Sequence, residues 1–190
     1  DHLHRTAEIS CAIGAQLGAD MDTLDLLYTA GFLHDVGKLA ISEAILWKPS
    51  GLTRAEWRVV RAHPAEGHRL VADVMEREVS SAVLNHHERM DGEGYPRGLD
   101  GRALPMVARI VQLADAFDAM TNHRPYRPAL TTADAVEELL LPEELGLIAP
   151  HAGLEEGPRP LREELVERVQ EGALAEEAAA ETVPEDYRAA

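Results

Sequence analysis

The chain has 190 residues, of which 45% are hydrophobic and 27% charged, as is typical of one globular domain with an appended segment. Its net charge of −16 argues against binding along a nucleic-acid polymer, and its single cysteine, Cys11, excludes an internal disulfide or a multi-thiolate zinc site. No apolar run approaches the roughly 18 residues that span a membrane, and no secretory signal opens the chain, so we expect a cytoplasmic location.

The hydrophobic pattern is helical along most of the chain. Helical spacing or a helix-start signal occurs in six segments, which are 3–18, 23–34, 53–60, 64–74, 77–87 and 105–117. In the third segment, Thr53 and Glu56 form a capping-box pattern. Alternation typical of strands is almost absent. We therefore predict an all-α helical bundle over residues 1–141.

Two stretches depart from this pattern. The glycine-rich segment from Glu88 to Leu104 predicts a long loop, and loops of this length in a compact domain are usually functional or disordered. Residues 142–190 predict an acidic extension, a loop followed by a helix. The apolar stripe of that helix comprises Leu161, Leu165, Val166 and Val169. We expect this stripe to dock on its own domain or on a second copy of the chain. The alternative is a linker to a further domain, because Asp1 is not an initiator methionine and we expect the chain to be a piece of a longer protein.

Histidines next to carboxylates are the most informative residues of the chain. The relevant set is His2, His34, Asp35, His63, His86, His87 and Asp115. Taken one at a time, each of these residues is more often a hydrogen-bonded core histidine or a solvated carboxylate than a ligand. Five imidazoles and two carboxylates without thiolates suit iron or manganese better than a closed zinc site. Taken together, the set favours a metal centre, in which an adjacent His–Asp pair can serve two ions.

Two motifs give the chain a resemblance to a known family. Residues 34–38 read HDVGK, and residues 86–96 read HHERMDGEGYP. These motifs match HDxGK and HHExxDGxGYP, so the chain resembles the HD-GYP family, a subgroup of the HD-domain metal phosphohydrolases. The resemblance covers about residues 2–140 and includes ILWKPSGLTRAEW, ARIVQLADAFDAM, RPYRPA and an HxxR pattern at His2 and Arg5.

The resemblance implies two or three divalent metal ions, iron or manganese. The implied ligands are His2, His34, Asp35, His63, His86, His87 and Asp115. Asp35 is expected to bridge two ions and to be catalytic, and Asp118, one helical turn after Asp115, to hold a ligand or a water. Related proteins have a glutamate four residues before the first histidine. That position lies before Asp1, so the number of ions stays open.

The resemblance also implies substrate contacts. Lys38 is expected to act in catalysis by placing a point charge near the metal-bound phosphate, and Arg124 and Arg127 to hold substrate phosphate. For Tyr95, stacking on a guanine and fixing the loop to the core are equally favoured. One departure is the lack of the family's glycine-phenylalanine-Asp-Pro segment around 146–151, which bears on C-terminal packing and leaves the metal centre unaffected.

The implied activity is hydrolysis of cyclic di-GMP to pGpG, and onward to GMP, in bacterial second-messenger signalling. One alternative is an HD phosphohydrolase for another cyclic dinucleotide or nucleotide. Another is a catalytically silent module that binds a diguanylate cyclase. The partners considered beside the cyclic dinucleotide are a diguanylate cyclase (GGDEF) domain, an upstream sensor or receiver domain and a second copy of the chain.

Overall fold

The computed structural model describes residues 2–122 and 128–139, and within these ranges the chain is helical without any strand. The α-helices are α1 His2–Gln16, α2 Met21–Leu33, α3 Glu43–Leu46, α4 Arg54–Val60, α5 His63–Val71, α6 Arg77–Asn85, α7 Met106–Thr121 and α8 Thr132–Leu139. Short 3₁₀ helices span Val36–Ala40 and Gly101–Ala103. The predicted all-α fold class is confirmed.

Helices α1, α2, α6 and α7 pack around one hydrophobic core, and α8 packs on α7. Leu27, Ala30, Val79, Val111 and Ala114 in this core are fully buried. Small residues where helices meet allow close approach, and the removal of the larger side chains from water stabilises the bundle.

The helix starts follow local capping chemistry. Thr53 caps α4, and Glu56 reaches back to the Thr53 backbone N–H, so the predicted capping box is present. Helix α2 begins at Met21, two residues before the predicted segment, because the Asp20 carboxylate accepts a hydrogen bond from the Thr23 N–H. Helix α7 begins directly after Pro105, close to the predicted start.

A close backbone contact joins the 3₁₀ helix Val36–Ala40 to the start of α5. A Cβ atom on Gly37 would collide with the His63 carbonyl oxygen and the Gly67 backbone nitrogen. Only glycine therefore lets the 3₁₀ turn after α2 lie directly on the first turn of α5. This packing holds the His34-Asp35 segment next to His63.

None of the described helices is long and apolar enough to cross a membrane. The predicted extension over 142–190, with the apolar stripe and the segment 146–151, lies outside the described residues.

Candidate metal centre

The seven predicted metal ligands come from five helices. Four helices contribute from an end: α1 and α5 from their first residues, and α2 and α6 from the residues just after their last turns. Helix α7 contributes Asp115 from within the helix. Side chains at helix ends can converge from several directions on one point, and the structure brings all seven together in two groups that share Asp35.

The first cluster contains Asp35, His63, His86 and His87. One ligand atom from each residue lies within 4.8 Å of the others. His63 Nε2 is 3.2 Å from Asp35 Oδ1 and 3.1 Å from His86 Nε2. His63 and His86 are fully buried, so this cluster forms the inner end of the centre.

The second cluster contains His2, His34, Asp35 and Asp115. His2 Nε2 lies 3.4 Å from Asp115 Oδ1 and 3.9 Å from Asp35 Oδ2. His34 Nε2 lies 3.5 Å from Asp35 Oδ2 and 3.8 Å from Asp115 Oδ1. Asp35 therefore turns Oδ1 toward the first cluster and Oδ2 toward the second, as a bridging carboxylate would.

Main-chain carbonyls fix the tautomer of three histidines. Nδ1 of His34, His63 and His86 lies 2.7, 2.7 and 2.8 Å from the carbonyl oxygen of the residue three positions earlier. A carbonyl oxygen only accepts hydrogen bonds, so each Nδ1 carries the proton. Each ring therefore turns Nε2 toward Asp35, which is how metal-binding histidines are oriented.

The unpaired atoms of the centre fit a bound cation. His34 Nε2 and Asp35 Oδ1 are buried without a hydrogen-bond partner. His63 Nε2 and His86 Nε2 face each other at 3.1 Å, although both rings already carry their proton on Nδ1. Two ligand atoms in adjacent positions of an octahedral ion, each at about 2.1 Å, lie about 3 Å apart. Cations held at the two clusters would satisfy all four atoms, and each cluster offers ligand atoms close enough together to hold a metal ion.

The electrostatics favour a charged Asp35 carboxylate next to uncharged His86 and His87 rings. Burial opposes the charge on Asp35, but contacts with His34 and His63 outweigh burial and hold the pKa of Asp35 far below its usual range. Burial and the neighbouring His87 lower the pKa of His86 well below its ordinary value. Burial and His63 lower the pKa of His87 to about 3. His34 differs, since nearby Asp35 and Asp115 outweigh burial and raise its pKa.

Asp118 holds the outer histidine. Its buried carboxylate accepts hydrogen bonds from His2 Nδ1 at 2.7 Å, Arg5 Nε at 2.5 Å and Asn122 Nδ2 at 3.0 Å. Burial opposes the charge, but His2 and Arg5 outweigh it and lower the pKa of Asp118. The predicted position of Asp118 beside a ligand thus has a specific geometry, in which His2 turns Nε2 toward Asp115.

Lys38 lies at the edge of the second cluster. Its ammonium group donates a hydrogen bond to Asp35 Oδ2, the oxygen that faces His2 and His34. Its side chain is 40% exposed, so the charge is accessible from the solvent side of the centre.

Tyr95 lies against the first cluster. Its ring stacks on His87 with centroids 4.8 Å apart and an interplanar angle of 26°, and the Arg61 guanidinium lies 4.8 Å from the Tyr95 centroid. Burial raises the pKa of Tyr95 to about 12 against the opposing charge of Arg61. The ring therefore fixes the loop to a predicted ligand.

Glu88, a residue absent from the predicted site, organises this loop. Glu88 is fully buried, and its two carboxylate oxygens accept the backbone N–H groups of Arg97 at 2.6 Å and Leu99 at 2.9 Å. The loop also crosses the Glu88 backbone so closely that a Cβ on Gly94 would collide with it. Its place between two histidines and the glycines of the motif is the signal that could have identified it.

Arg124 and Arg127 lie outside the described residues, so their predicted contact with substrate phosphate stays a prediction. Of the other histidines, His68 donates Nδ1–H to the Ser80 carbonyl oxygen, and His4 lies edge-on to Phe32. Both histidines therefore make contacts outside the two clusters.

Comparison with known proteins adds three findings. A family model described as HD domain matches residues 1–144. The cyclic di-GMP phosphodiesterase response regulator RpfG of Xanthomonas campestris is 40% identical over 140 residues, which are 72% of this chain and 37% of that protein. The 3′3′-cGAMP-specific phosphodiesterase 1 of Vibrio cholerae is 37% identical over 131 residues, 68% of this chain and 30% of that protein. The chain thus spans about a third of the length of these curated relatives.

A solved structure shares the fold. An HDG"Y"P protein from Bdellovibrio bacteriovorus superposes with a TM-score of 0.65 at 21% sequence identity, covering 91% of this chain and 51% of that chain.

Proposed function

Because the chain belongs to the HD-domain family, we propose that it is a metal-dependent phosphodiesterase that hydrolyses cyclic di-GMP to linear pGpG and then to GMP. The observation that carries the proposal is the position of Asp35, whose two oxygens face separate histidine clusters. The relatives support the choice of substrate, since RpfG is named as a cyclic di-GMP phosphodiesterase.

The residues fit two divalent ions, iron or manganese, and the proposal leaves room for a third. The first cluster would hold one ion and the second cluster another, with Asp35 shared between them. When bound, such a pair activates a water for attack on phosphorus and neutralises the charge that develops on the phosphoryl oxygens. The imidazole-rich set without thiolates suits iron and manganese.

The remaining work falls to the side chains around the clusters. The Lys38 ammonium, at the solvent side of Asp35, would add positive charge where a phosphoryl group meets the centre. The Asp118 carboxylate keeps the proton of His2 on Nδ1. We further propose that Arg124 and Arg127 hold substrate phosphate and that Tyr95 borders the substrate.

A second candidate substrate is 3′3′-cGAMP. The Vibrio cholerae relative named for that substrate is 37% identical over 131 residues, close to the 40% of RpfG. The metal centre would serve both substrates, since they share the phosphodiester linkage and differ in one base.

The test is metal analysis of anaerobically purified protein together with chromatographic assay of cyclic di-GMP and 3′3′-cGAMP. We expect at least two ions per chain and conversion of cyclic di-GMP to pGpG. Asp35→Ala should abolish turnover and remove at least one ion. The control is Asp73→Ala, which replaces an exposed carboxylate and should change neither turnover nor metal content. A metal-loaded wild-type protein that cleaves neither dinucleotide would overturn the proposal. A higher kcat/KM for 3′3′-cGAMP than for cyclic di-GMP would make 3′3′-cGAMP the proposed substrate.

A further inference from the structure

Arg61 lies at the rim of the metal centre. It is an exposed residue at the C-terminal end of α4, two positions before His63. Its guanidinium carbon is 4.8 Å from the centroid of the Tyr95 ring, which stacks on His87. A cation–π contact of this kind holds a guanidinium in place without neutralising its charge.

The charge of Arg61 is available to a ligand. Arg5 is paired with Asp118, Arg69 with Glu66, and Lys38 with Asp35. Arg61, in contrast, forms no salt bridge with a carboxylate in the described part of the chain. An anionic substrate that approaches a chain of net charge −16 requires local cations, so an unpaired guanidinium at this rim is a favourable contact.

A cyclic dinucleotide carries two phosphodiesters, and only one is cleaved in a given step. The cleaved group must lie at the histidine clusters and Lys38, which leaves the second phosphodiester and its negative charge outside the metal centre. A guanidinium presents parallel N–H donors that match two phosphate oxygens, and the contact of Arg61 with the Tyr95 ring uses no hydrogen-bond acceptor. We propose that Arg61 binds the uncleaved phosphodiester of the cyclic dinucleotide, an inference that rests on the proposed function.

An arginine can also read a base, since the same N–H edge matches O6 and N7 of guanine. The two roles predict different results. Loss of a phosphate contact would weaken the binding of all cyclic dinucleotides alike. Loss of a guanine contact would weaken the binding of cyclic di-GMP most and that of cyclic di-AMP least.

The experiment measures kcat and KM of the metal-loaded protein for cyclic di-GMP and 3′3′-cGAMP, and inhibition by cyclic di-AMP. Bis(p-nitrophenyl) phosphate, which has one phosphodiester, serves as the reference substrate. Arg61→Ala should raise both KM values and the inhibition constant by about ten-fold, with a smaller effect on kcat and a less than two-fold change in KM for the reference substrate. Arg61→Lys keeps the positive charge but lacks the paired N–H donors, so its KM values should lie between those of the wild type and of Arg61→Ala. Arg58→Ala, an exposed arginine on the same helix, is the matched control.

Three outcomes would overturn the inference. Equal effects on the cyclic dinucleotides and the reference substrate would show that Arg61 recognises no second phosphate. A loss that depends on the base would assign Arg61 to guanine instead. Reduced metal content in Arg61→Ala would make Arg61 a support for the loop. A wild-type protein that cleaves the reference substrate but no cyclic dinucleotide would instead refute the proposed function itself.

Discussion

Two charged side chains, Lys38 and Asp118, contact the centre from different sides and allow separate tests. Lys38 meets Asp35 on the solvent side, where a substrate phosphate would arrive. Asp118 meets His2 from the protein side and touches no other predicted ligand through a described hydrogen bond. The first is therefore expected to act on the reaction and the second on the metal.

Replacement of Lys38 by methionine should lower kcat/KM for cyclic di-GMP by roughly 100-fold, because a positive charge next to the phosphoryl group is lost. Metal content should persist, since Lys38 is not among the predicted ligands. Metal analysis beside steady-state kinetics checks both parts. Lys48, the only other lysine, pairs with Glu56, and Lys48→Met is the control. Metal loss equal to that of Asp35→Ala would show that the role of Lys38 is misassigned.

Asp118→Asn should weaken the affinity for Mn²⁺ by about 10–100-fold. Donors approach both oxygens of Asp118, whereas asparagine has one acceptor oxygen, so its NH₂ group would oppose either His2 Nδ1–H or Arg5 Nε–H and weaken the hold on His2. Titration calorimetry of the metal-free protein gives the affinity, with Asp73→Asn as the control. An unchanged Mn²⁺ affinity would mean that His2 is oriented independently of Asp118.

The sequence predicted seven residues that the structure brings together, because most of them stand in motifs of fixed spacing, and their role as ligands stays a prediction. It could not predict Arg61, because a basic residue before His63 gives no signal until the loop brings Tyr95 beside it. It also left Tyr95 between two interpretations. The stacking on His87 supports the structural one and leaves guanine stacking as a prediction.

The loop from Glu88 to Leu104 is the element that joins the histidines to the rim. Glu88 ties it down at two backbone N–H groups, and the Tyr95 N–H donates to the His87 carbonyl oxygen at 3.0 Å. The loop therefore has a definite path despite its glycines.

Glu88→Gln should lower the free energy of unfolding by roughly 1–3 kcal/mol, because the amide NH₂ group would oppose one of the two backbone donors in a buried place. Tyr95 should lose its fixed position on His87, which would raise KM for cyclic di-GMP. Urea unfolding and kinetics measure the two effects. Glu93→Gln, an exposed glutamate of the same loop, is the control. If Glu88→Gln and Glu93→Gln had the same free energy of unfolding, Glu88 would not be the residue that holds the loop in place.

Helix α4 carries a pH-dependent contribution at its first turn. Hydrogen bonds from Lys48 and from Thr53 lower the pKa of Glu56 to about 2. Because the pKa of Glu56 is lower in the folded state, its charged form stabilises the fold at pH values above the unfolded pKa of about 4.3. This stabilisation is lost as the pH falls toward 2. The stability difference between wild type and Glu56→Gln, from urea unfolding, should therefore be constant near pH 7 and shrink between about pH 4.3 and 2. The exposed Glu43→Gln is the control, and a difference independent of pH would contradict this role.

The helical bundle was predictable because apolar residues recur at helical spacing and the capping box marks α4, and the resemblance to the HD-GYP family is confirmed by the family match and the relatives. The exact helix starts were less predictable, as the position of α2 depends on the Asp20 cap. The close packing of Gly37 on α5 depends on contacts between distant segments, so no local pattern in the sequence reveals it.

Removal of residues 155–190 should leave metal content and turnover unchanged, because the HD-domain match ends at residue 144. Removal of residues 131–190 should instead lower the melting temperature, because α8 buries Ala135, Val136 and Leu139 in the helical domain. Thermal unfolding and metal analysis of both truncated proteins check this boundary. Loss of metal from the shorter deletion would place the extension within the catalytic domain.

Three imidazoles of the centre are aimed by main-chain carbonyls of Gly31, Val60 and Val83. No amino-acid replacement deletes a carbonyl, so mutation has few ways to turn these rings while the helices stand. Mutation can readily alter the exposed rim, where Arg61 and Lys38 lie. Sequence change is therefore expected to accumulate at the rim and to alter which ligand is bound there, while the arrangement of the three rings persists.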